Sequence, residues 1–192
     1  MNPDFSFDPF PVLSTTRLKL VRMSMEHAQD LFELRRHDDV MQYIERPRPQ
    51  QLSDIEDLIK SNDDLIATAT GIAWMLVEKT TDRVVGTIGY WRMKKEHHRA
   101  EIGYMMFPEF WGKGLMSEAI QEVLKYGFDV MKLHSVEADI NPDNEASAKI
   151  LERNGFVREA FFRENYYWNG VYLNSAIYGI LEQDFRKSSG GS

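Results

Sequence analysis

The chain has 192 residues, of which 43% are hydrophobic and 12% aromatic, a composition that favours one globular domain with a sizeable core and excludes wholesale disorder. Its 23 basic and 30 acidic residues give a net charge of −7, which argues against a nucleic-acid-binding protein and is compatible with a cationic substrate. There is no cysteine, so disulfides, thiolate metal sites and a cysteine nucleophile are excluded.

Composition along the chain predicts one folded domain between two terminal segments. Residues 1–14 contain three prolines and no hydrophobic period, which indicates an N-terminal arm. The arm holds three phenylalanines that we expect to pack on the body, Phe5, Phe7 and Phe10. Residues 15–186 show no internal repeat and no second domain, so we expect a single domain there. Residues 187–192 are rich in Ser and Gly and indicate a flexible tail.

The sequence also predicts a cytoplasmic protein without membrane contact. No apolar run approaches the roughly 20 residues of a membrane span, and the start Met1-Asn2-Pro3-Asp4 has no signal-peptide pattern. The lack of cysteine fits a reducing compartment. The oligomeric state stays open at this point, a homodimer included.

Beyond the arm, the first half of the domain predicts one strand and two helices. Residues 17–22 alternate charged and apolar side chains, which is typical of a half-buried strand. Ser24 is an N-cap candidate, and the apolar spacing after it predicts a helix to about residue 37. Ser53 and Glu56 have capping-box spacing at the start of a second helix.

The rest of the domain alternates strands with two further helices. Strands are predicted at residues 72–79, 84–91, 100–106, 134–140, 157–164 and 172–181. One helix follows a turn and runs to about residue 131, a second covers residues 145–154 and ends at Gly155, and Asn169-Gly170 predicts the turn of a final hairpin. This order of elements predicts an α+β fold in which helices cover a mixed sheet.

The turn before the first of these helices is the candidate ligand site. Gly112 and Gly114 permit backbone angles that other residues resist and let a ligand approach the chain closely. The first amides of the helix lack partners and lie under a positive helix dipole, so the turn is suited to a phosphate. A P-loop is excluded because Leu115 follows Gly114, and a dinucleotide fingerprint is disfavoured because Ser117 stands where a third glycine is needed. A tight turn without a ligand is the alternative.

Four segments carry a resemblance to a known family, and they are residues 100–104, 111–119, 141–147 and 154–156. In these segments the chain resembles the Gcn5-related N-acetyltransferases, and the resemblance extends over roughly residues 15–182. In detail the chain resembles the branch that includes the RimJ and RimL ribosomal-protein N-terminal acetyltransferases. The resemblance implies a mixed, mostly antiparallel central sheet of about seven strands with helices on both faces. The family pattern Gln/Arg-x-x-Gly-x-Gly/Ala has Trp111 at its first place and Met116 at its last, which removes one cationic side chain from the loop.

The resemblance implies acetyl-CoA as the cosubstrate. Backbone amides of residues 112–117 would carry most of the pyrophosphate binding, with Lys113 adding charge, and a strand that splays from its neighbour would bind the pantetheine arm. The cofactor-binding residues that it implies are Tyr104, Met105, Met106, Trp111, Gly112, Lys113, Gly114, Leu115, Met116, Ser117 and Asn144. No metal site is expected, because the adjacent His97 and His98 point in opposite directions.

The resemblance further implies direct attack of an amine on the thioester, polarised by a backbone N–H near Met105 or Met106. Glu101 is the first candidate for the general base, and Glu164 and Tyr166 are its rivals. For the general acid, the tyrosine that many family members carry is replaced by Leu151, and the resemblance indicates Ser147 instead. Two alternatives remain, in which Ser147 only satisfies a backbone group and Asn144 is only a helix cap.

The acceptor is predicted to be a primary amine, with a protein N-terminus as the first hypothesis. An α-amine has a pKa near 8 and therefore needs less help to lose its proton than lysine does. A small amine such as a polyamine, amino acid or aminoglycoside is the second hypothesis. A catalytically silent acyl-CoA-binding module is the third, because the family's tyrosine is missing.

Overall fold

The computed structural model describes residues 6–189, and its centre is one eight-stranded sheet. The strands are β1 (Leu13–Ser14), β2 (Leu18–Arg22), β3 (Ile72–Glu78), β4 (Val84–Lys94), β5 (Arg99–Met106), β6 (Ser135–Ile140), β7 (Val157–Trp168) and β8 (Val171–Leu181). Their order in the sheet is β1-β2-β3-β4-β5-β6-β8-β7, and β5 and β6 form its parallel pair. The predicted mixed, mostly antiparallel sheet is therefore confirmed, and the two-residue β1 brings the strand number to eight.

Helices lie on both faces of the sheet. They are α1 (Ala28–Leu34), α2 (Asp38–Met41), α3 (Leu52–Ala67), α4 (Leu115–Asp129), α5 (Glu145–Arg153) and α6 (Glu182–Ser189). The central strand β3 serves both faces, since Trp74 and Leu76 pack in the cluster around α4, while Ala73 and Met75 pack with α1 and α3. None of the helices described between residues 6 and 189 is long and apolar enough to cross a bilayer.

The N-terminal arm packs on the sheet from residue 6 onward. Phe7 is buried in the main core, and the indole N–H of Trp74 donates to the Pro11 carbonyl at 2.7 Å. Residues 13 and 14 already belong to the sheet as β1, just before the predicted domain boundary. The prediction for Phe5 lies outside the described residues.

Three local predictions need correction. The second helix begins at Leu52, so its capping residues are Gln51 and Asp54 rather than Ser53 and Glu56. The first predicted helix, expected to reach about residue 37, is a 3-10 turn followed by α1, which already ends at Leu34, and the short α2 after it was not predicted.

The third correction concerns the C-terminus, where α6 was not predicted. This helix includes residues 187–189, which had been predicted as the start of the tail. It is held by a contact that is remote in sequence, because Phe185 packs on Phe128 with ring centroids 5.2 Å apart. The sequence of this short polar segment does not indicate that Phe128 is its packing partner. Residues 190–192 lie outside the described part.

Candidate active site

Strands β5 and β6 separate partway along their length. They pair at Arg99 with Ser135, Ala100 with Val136 and Glu101 with Glu137. Beyond Glu101, β5 continues to Met106 and β6 to Ile140 without pairing to each other. The splay expected between these strands is thus confirmed, and it opens a gap in the sheet.

Backbone donors of β5 line this gap. The N–H of Phe107 donates to Val85 on the other side of β5 at 3.0 Å, and the register with β4 is regular from Glu101 to Met106. Because N–H directions alternate along a strand, the N–H groups of Tyr104 and Met106 point into the gap, whereas that of Met105 points toward β4. The backbone therefore offers hydrogen-bond donors to an extended ligand lying in the gap.

A cavity of about 740 Å³ adjoins the gap and reaches both faces of the sheet. Ala100, Ile102 and Met106 are buried in the cluster around α4, so alternation directs Glu101 and its neighbours to the opposite face, toward α1 and α3. Glu101, Tyr104 and Ser147 all line this cavity. The site consequently has two chemically different sides, one on each face of the sheet.

The side toward α1 and α3 carries carboxylates. Glu101 Oε2 accepts a hydrogen bond of 2.9 Å from Arg92 Nη1. Burial raises the pKa of Glu101, the charge of Arg92 counteracts that rise, and the nearby Asp139 and Glu137 add to it. Burial likewise raises the pKa of Asp139, which also lines the cavity. Two carboxyls with raised pKa therefore lie beside the gap.

Asp139 was not among the sequence-predicted residues. A signal for it exists, because Val136 and Ala138 are buried on the α4 side and Asp139 must then face the other way. What the sequence does not reveal is that Asp139 lies beyond the last β5–β6 pair, where the strands have parted.

The opposite side carries two hydroxyls. The Ser147 N–H in the first turn of α5 donates to Asn144 Oδ1 at 3.0 Å, so Asn144 does cap this helix. Ser147 Oγ lies 2.8 Å from the Tyr104 hydroxyl. Burial raises the pKa of Tyr104 to about 12, partly offset by its hydrogen bond with Ser147, and the phenol is therefore a neutral donor near pH 7.

The turn before α4 presents unpaired amides. Gly112 and Gly114 have φ of 71° and 77°, a left-handed conformation that favours glycine. Within residues 6–189, none of the six backbone N–H groups from Gly112 to Ser117 donates to a protein acceptor. Leu115 and Met116 bury their side chains in the core, so they contribute to the turn through their backbone. This geometry is suited to an anion such as a pyrophosphate.

Side chains around the turn hold it in place. The indole N–H of Trp111 donates to the Met106 carbonyl at 2.7 Å and so ties the turn to the end of β5. Lys113 Nζ lies 5.3 Å from the centre of the Phe110 ring.

Arg17 also contacts the turn and was missed by the sequence reasoning. Its Nη1 donates to the Lys113 carbonyl at 2.9 Å and its Nε to Glu118 at 2.7 Å. A Cβ at Gly114 would lie 3.6 Å from its Nη2. A cationic group therefore lies at the turn although Trp111 occupies the family's cationic place. The 96 positions between Arg17 and Lys113 leave no local signal for this contact.

Of the remaining residues considered for acid or base roles, one lines the cavity and two do not. Tyr166 lines the cavity, and its pKa is raised by burial and by its hydrogen bond to Glu45. Glu164 is exposed, has a φ of 50° and is not part of the cavity wall. Leu151 is fully buried in the main core. Within the described residues, no three metal-binding side chains converge.

Comparison with known proteins identifies the family and the fold. A family profile described as an acetyltransferase (GNAT) domain matches residues 17–157. The chain belongs to the GNAT acetyltransferase family. This GNAT protein is 33% identical over 173 residues to the uncharacterized N-acetyltransferase YoaA of Bacillus subtilis (strain 168), covering 90% of the chain and 98% of that protein. A GNAT-family acetyltransferase structure from Bacillus anthracis superposes with a TM-score of 0.80 at 28% identity, covering 90% and 99% of the two chains.

Two partial matches bear on the acceptor and point in different directions. The putative ribosomal N-acetyltransferase YdaF of Bacillus subtilis (strain 168) is 31% identical over 52% of this chain and 55% of its own length. The spermidine N(1)-acetyltransferase of Escherichia coli (strain K12) is 30% identical over 46% of this chain and 48% of its own length. The GNAT protein is thus an N-acetyltransferase whose acceptor these matches do not determine.

Proposed function

We propose that this N-acetyltransferase transfers the acetyl group of acetyl-CoA to a primary amine, the α-amine of a protein N-terminus, by direct attack on the thioester. The observation that carries the proposal is the gap between β5 and β6, which has carboxylates on one side and a hydroxyl pair on the other. An amine can enter from the carboxylate side while the thiol leaves toward the hydroxyls. The acetyl group then crosses between the two substrates inside the gap.

The donor is held by backbone groups. The unpaired amides from Gly112 to Ser117, with Lys113 and Arg17 as nearby cations, bind the pyrophosphate. The pantetheine arm lies along the unpaired edge of β5. The N–H of Met106 or Tyr104 polarises the thioester carbonyl as its oxygen gains charge. Asn144, which lines the cavity beside Ser147, contacts the cofactor in addition to capping its helix.

Glu101 is the general base of the proposed reaction. The amine nitrogen attacks the carbonyl carbon, and Glu101 takes the proton that the nitrogen gives up. Its raised pKa makes it a stronger proton acceptor than an ordinary glutamate, and the charge of Arg92 favours its ionised form. Asp139 is the second carboxylate available to an ammonium group in the cavity. Tyr166 is a poor base because its raised pKa keeps the phenol protonated.

Ser147 is the general acid. When the C–S bond breaks, the thiolate takes the Ser147 hydroxyl proton, and the Tyr104 phenol 2.8 Å away donates to the serine oxygen that is left. The serine oxygen then takes the proton of the Tyr104 phenol, and the phenolate is reprotonated from solvent. No side-chain nucleophile and no covalent enzyme intermediate are needed.

The ribosomal branch is the finer part of the proposal. It is supported by the partial similarity to YdaF. It is also supported by the low pKa of an α-amine, because such an amine loses its proton easily enough for one carboxylate to act as the base. The partial similarity to a spermidine acetyltransferase supports a polyamine as the second candidate.

Binding and turnover measurements test the proposal in two steps. Calorimetry should detect acetyl-CoA binding, and a thiol-release assay should then detect turnover on peptides with a free N-terminus and none on N-blocked peptides. Failure to bind acetyl-CoA at millimolar concentration would overturn the proposal as a whole. Turnover on spermidine without turnover on peptides would reject the N-terminal acceptor and leave the polyamine.

A further inference from the structure

The acceptor side of the cavity is not uniformly acidic. Besides the carboxylates of Glu45, Glu101 and Asp139, its wall includes the amide of Asn62 and three arginines, of which Arg92 is paired with Glu101 and the other two are Arg35 and Arg46. Arg35 follows α1, Arg46 lies in the connection between α2 and α3, and Asn62 lies on α3. Glu101 of β5 and Asp139 of β6 line the sheet side of the same cavity, where Arg92 of β4 is paired with Glu101, so Arg35 and Arg46 are the arginines on the helix side.

Arg35 has no counter-charge of its own. Among residues 6–189, no carboxylate or other acceptor lies within hydrogen-bonding distance of its guanidinium, whereas Arg92 and Arg99 each bind a carboxylate. Burial and the positive charge of Arg46 lower the pKa of Arg35. An arginine stays charged even so, and a partly buried cation without an anion is unfavourable. The pair of arginines is therefore suited to an anion supplied by a ligand.

Asn62 gives an independent indication of a polar ligand. The residue is only 3% exposed, and neither its Oδ1 nor its Nδ2 has a hydrogen-bond partner within the described part of the chain. Buried amides in proteins are almost always satisfied. An unsatisfied amide in the wall of a cavity can donate to and accept from a molecule that enters it.

We propose that the acceptor carries a carboxylate in addition to its amine, and that Arg35, with Arg46 and Asn62, binds this carboxylate. The ammonium end faces Glu101 and Asp139, and the carboxylate end faces the arginines. This inference rests on the proposed function, since it takes the cavity as the acceptor site. It defines the substrate class as an amino acid, or an N-terminus followed by an acidic residue. A polyamine would instead bring a second positive charge against Arg35.

Binding of product analogues tests the inference without requiring turnover. Calorimetry on the protein with bound CoA would compare N-acetylglutamate with its diamide, N-acetyl-Ser-Glu-amide with N-acetyl-Ser-Gln-amide, and N1-acetylspermidine. We expect a carboxylate-bearing probe to bind about tenfold or more tightly than its neutral partner. Preference within the first pair indicates a free amino acid, and preference within the second indicates an acidic N-terminus.

Matched variants assign the preference to Arg35. Arg35→Ala and Arg35→Gln should abolish it and leave CoA affinity unchanged, while Arg35→Lys should retain part of it. Arg36→Ala is the control, because Arg36 is exposed, contacts the Phe32 ring and does not line the cavity. Equal affinity within both pairs, tighter binding of N1-acetylspermidine, or a preference that survives in Arg35→Ala would overturn the inference. Absence of turnover on every amine would instead count against the proposed function, since the binding preference is measured separately.

Discussion

Replacing Ser147 by alanine removes one hydroxyl and leaves its surroundings in place. The cap of α5 uses the Ser147 N–H rather than its Oγ, and alanine is a good helix former, so the helix should keep its position. General acids contribute typically 10²–10⁴-fold, and the weak acidity of a serine hydroxyl favours the lower end. We therefore expect kcat to fall by about a hundredfold, equivalent to about 2.7 kcal/mol, with unchanged affinity for acetyl-CoA.

A variant of the neighbouring Tyr104 tests which of the two hydroxyls protonates the thiolate. Tyr104→Phe removes one hydrogen bond of 2.8 Å and keeps the packing of the ring. Because the acceptor of this bond is a serine oxygen that gains negative charge as its proton leaves, the bond contributes about 1.5 kcal/mol, so kcat should fall about tenfold, less than in Ser147→Ala. Thiol release at saturating substrates measures kcat, and calorimetry measures acetyl-CoA binding. If Tyr104 protonated the thiolate itself, Tyr104→Phe would have the larger effect. A Ser147→Ala variant with wild-type kcat would refute the assignment of Ser147.

Three further predictions concern the turn and the base. Gly114→Glu should weaken acetyl-CoA binding by about a hundredfold or more, because it adds a strained backbone and a negative charge at the pyrophosphate; unchanged affinity in calorimetry would contradict the location of that site. Arg17→Ala should weaken acetyl-CoA binding by about three- to tenfold, whereas the control Arg22→Ala, whose partner Asp63 is remote from the turn, should not. Removing the guanidinium in Arg92→Ala raises the pKa of Glu101 further. The loss of kcat/KM on acidification should then begin at higher pH than in the wild type, and a superimposable pH profile would argue against Glu101 as the base.

The parts of the site that the sequence could predict depend on neighbouring residues. Gly112 and Gly114 mark a turn because glycine favours the positive φ that both adopt, and Asn144 marks a helix start because its side chain can cap the next amides. The alternation of β5 likewise separates Glu101 from the core-facing Ile102. In each case the interaction spans a few positions, so composition and spacing carry the information.

The parts that escaped prediction depend on elements far apart in the sequence. Arg17 contacts the turn before α4 although the two are 96 positions apart in the sequence. Arg35 and Asp139 line one cavity only because the end of α1 and strand β6 lie beside the same gap. Glu164 illustrates the reverse case, since its place near the final hairpin makes it a candidate base in the sequence, whereas in the structure it is exposed and lies outside the cavity wall. Position in the fold, rather than residue type, separates the carboxylates that line the cavity from the one that does not.

The loss of the family's tyrosine at position 151 does not deprive the site of a phenol. Leu151 is fully buried in the core, where a phenol would have to be satisfied among apolar neighbours. Tyr104 instead reaches the same helix from β5, and its hydroxyl meets Ser147 at the turn that Asn144 caps. Because one partner is held by the sheet and the other by the capped first turn of α5, two different elements fix the hydroxyl pair. In the proposed mechanism, Ser147 can therefore protonate the departing thiolate without a side chain at position 151.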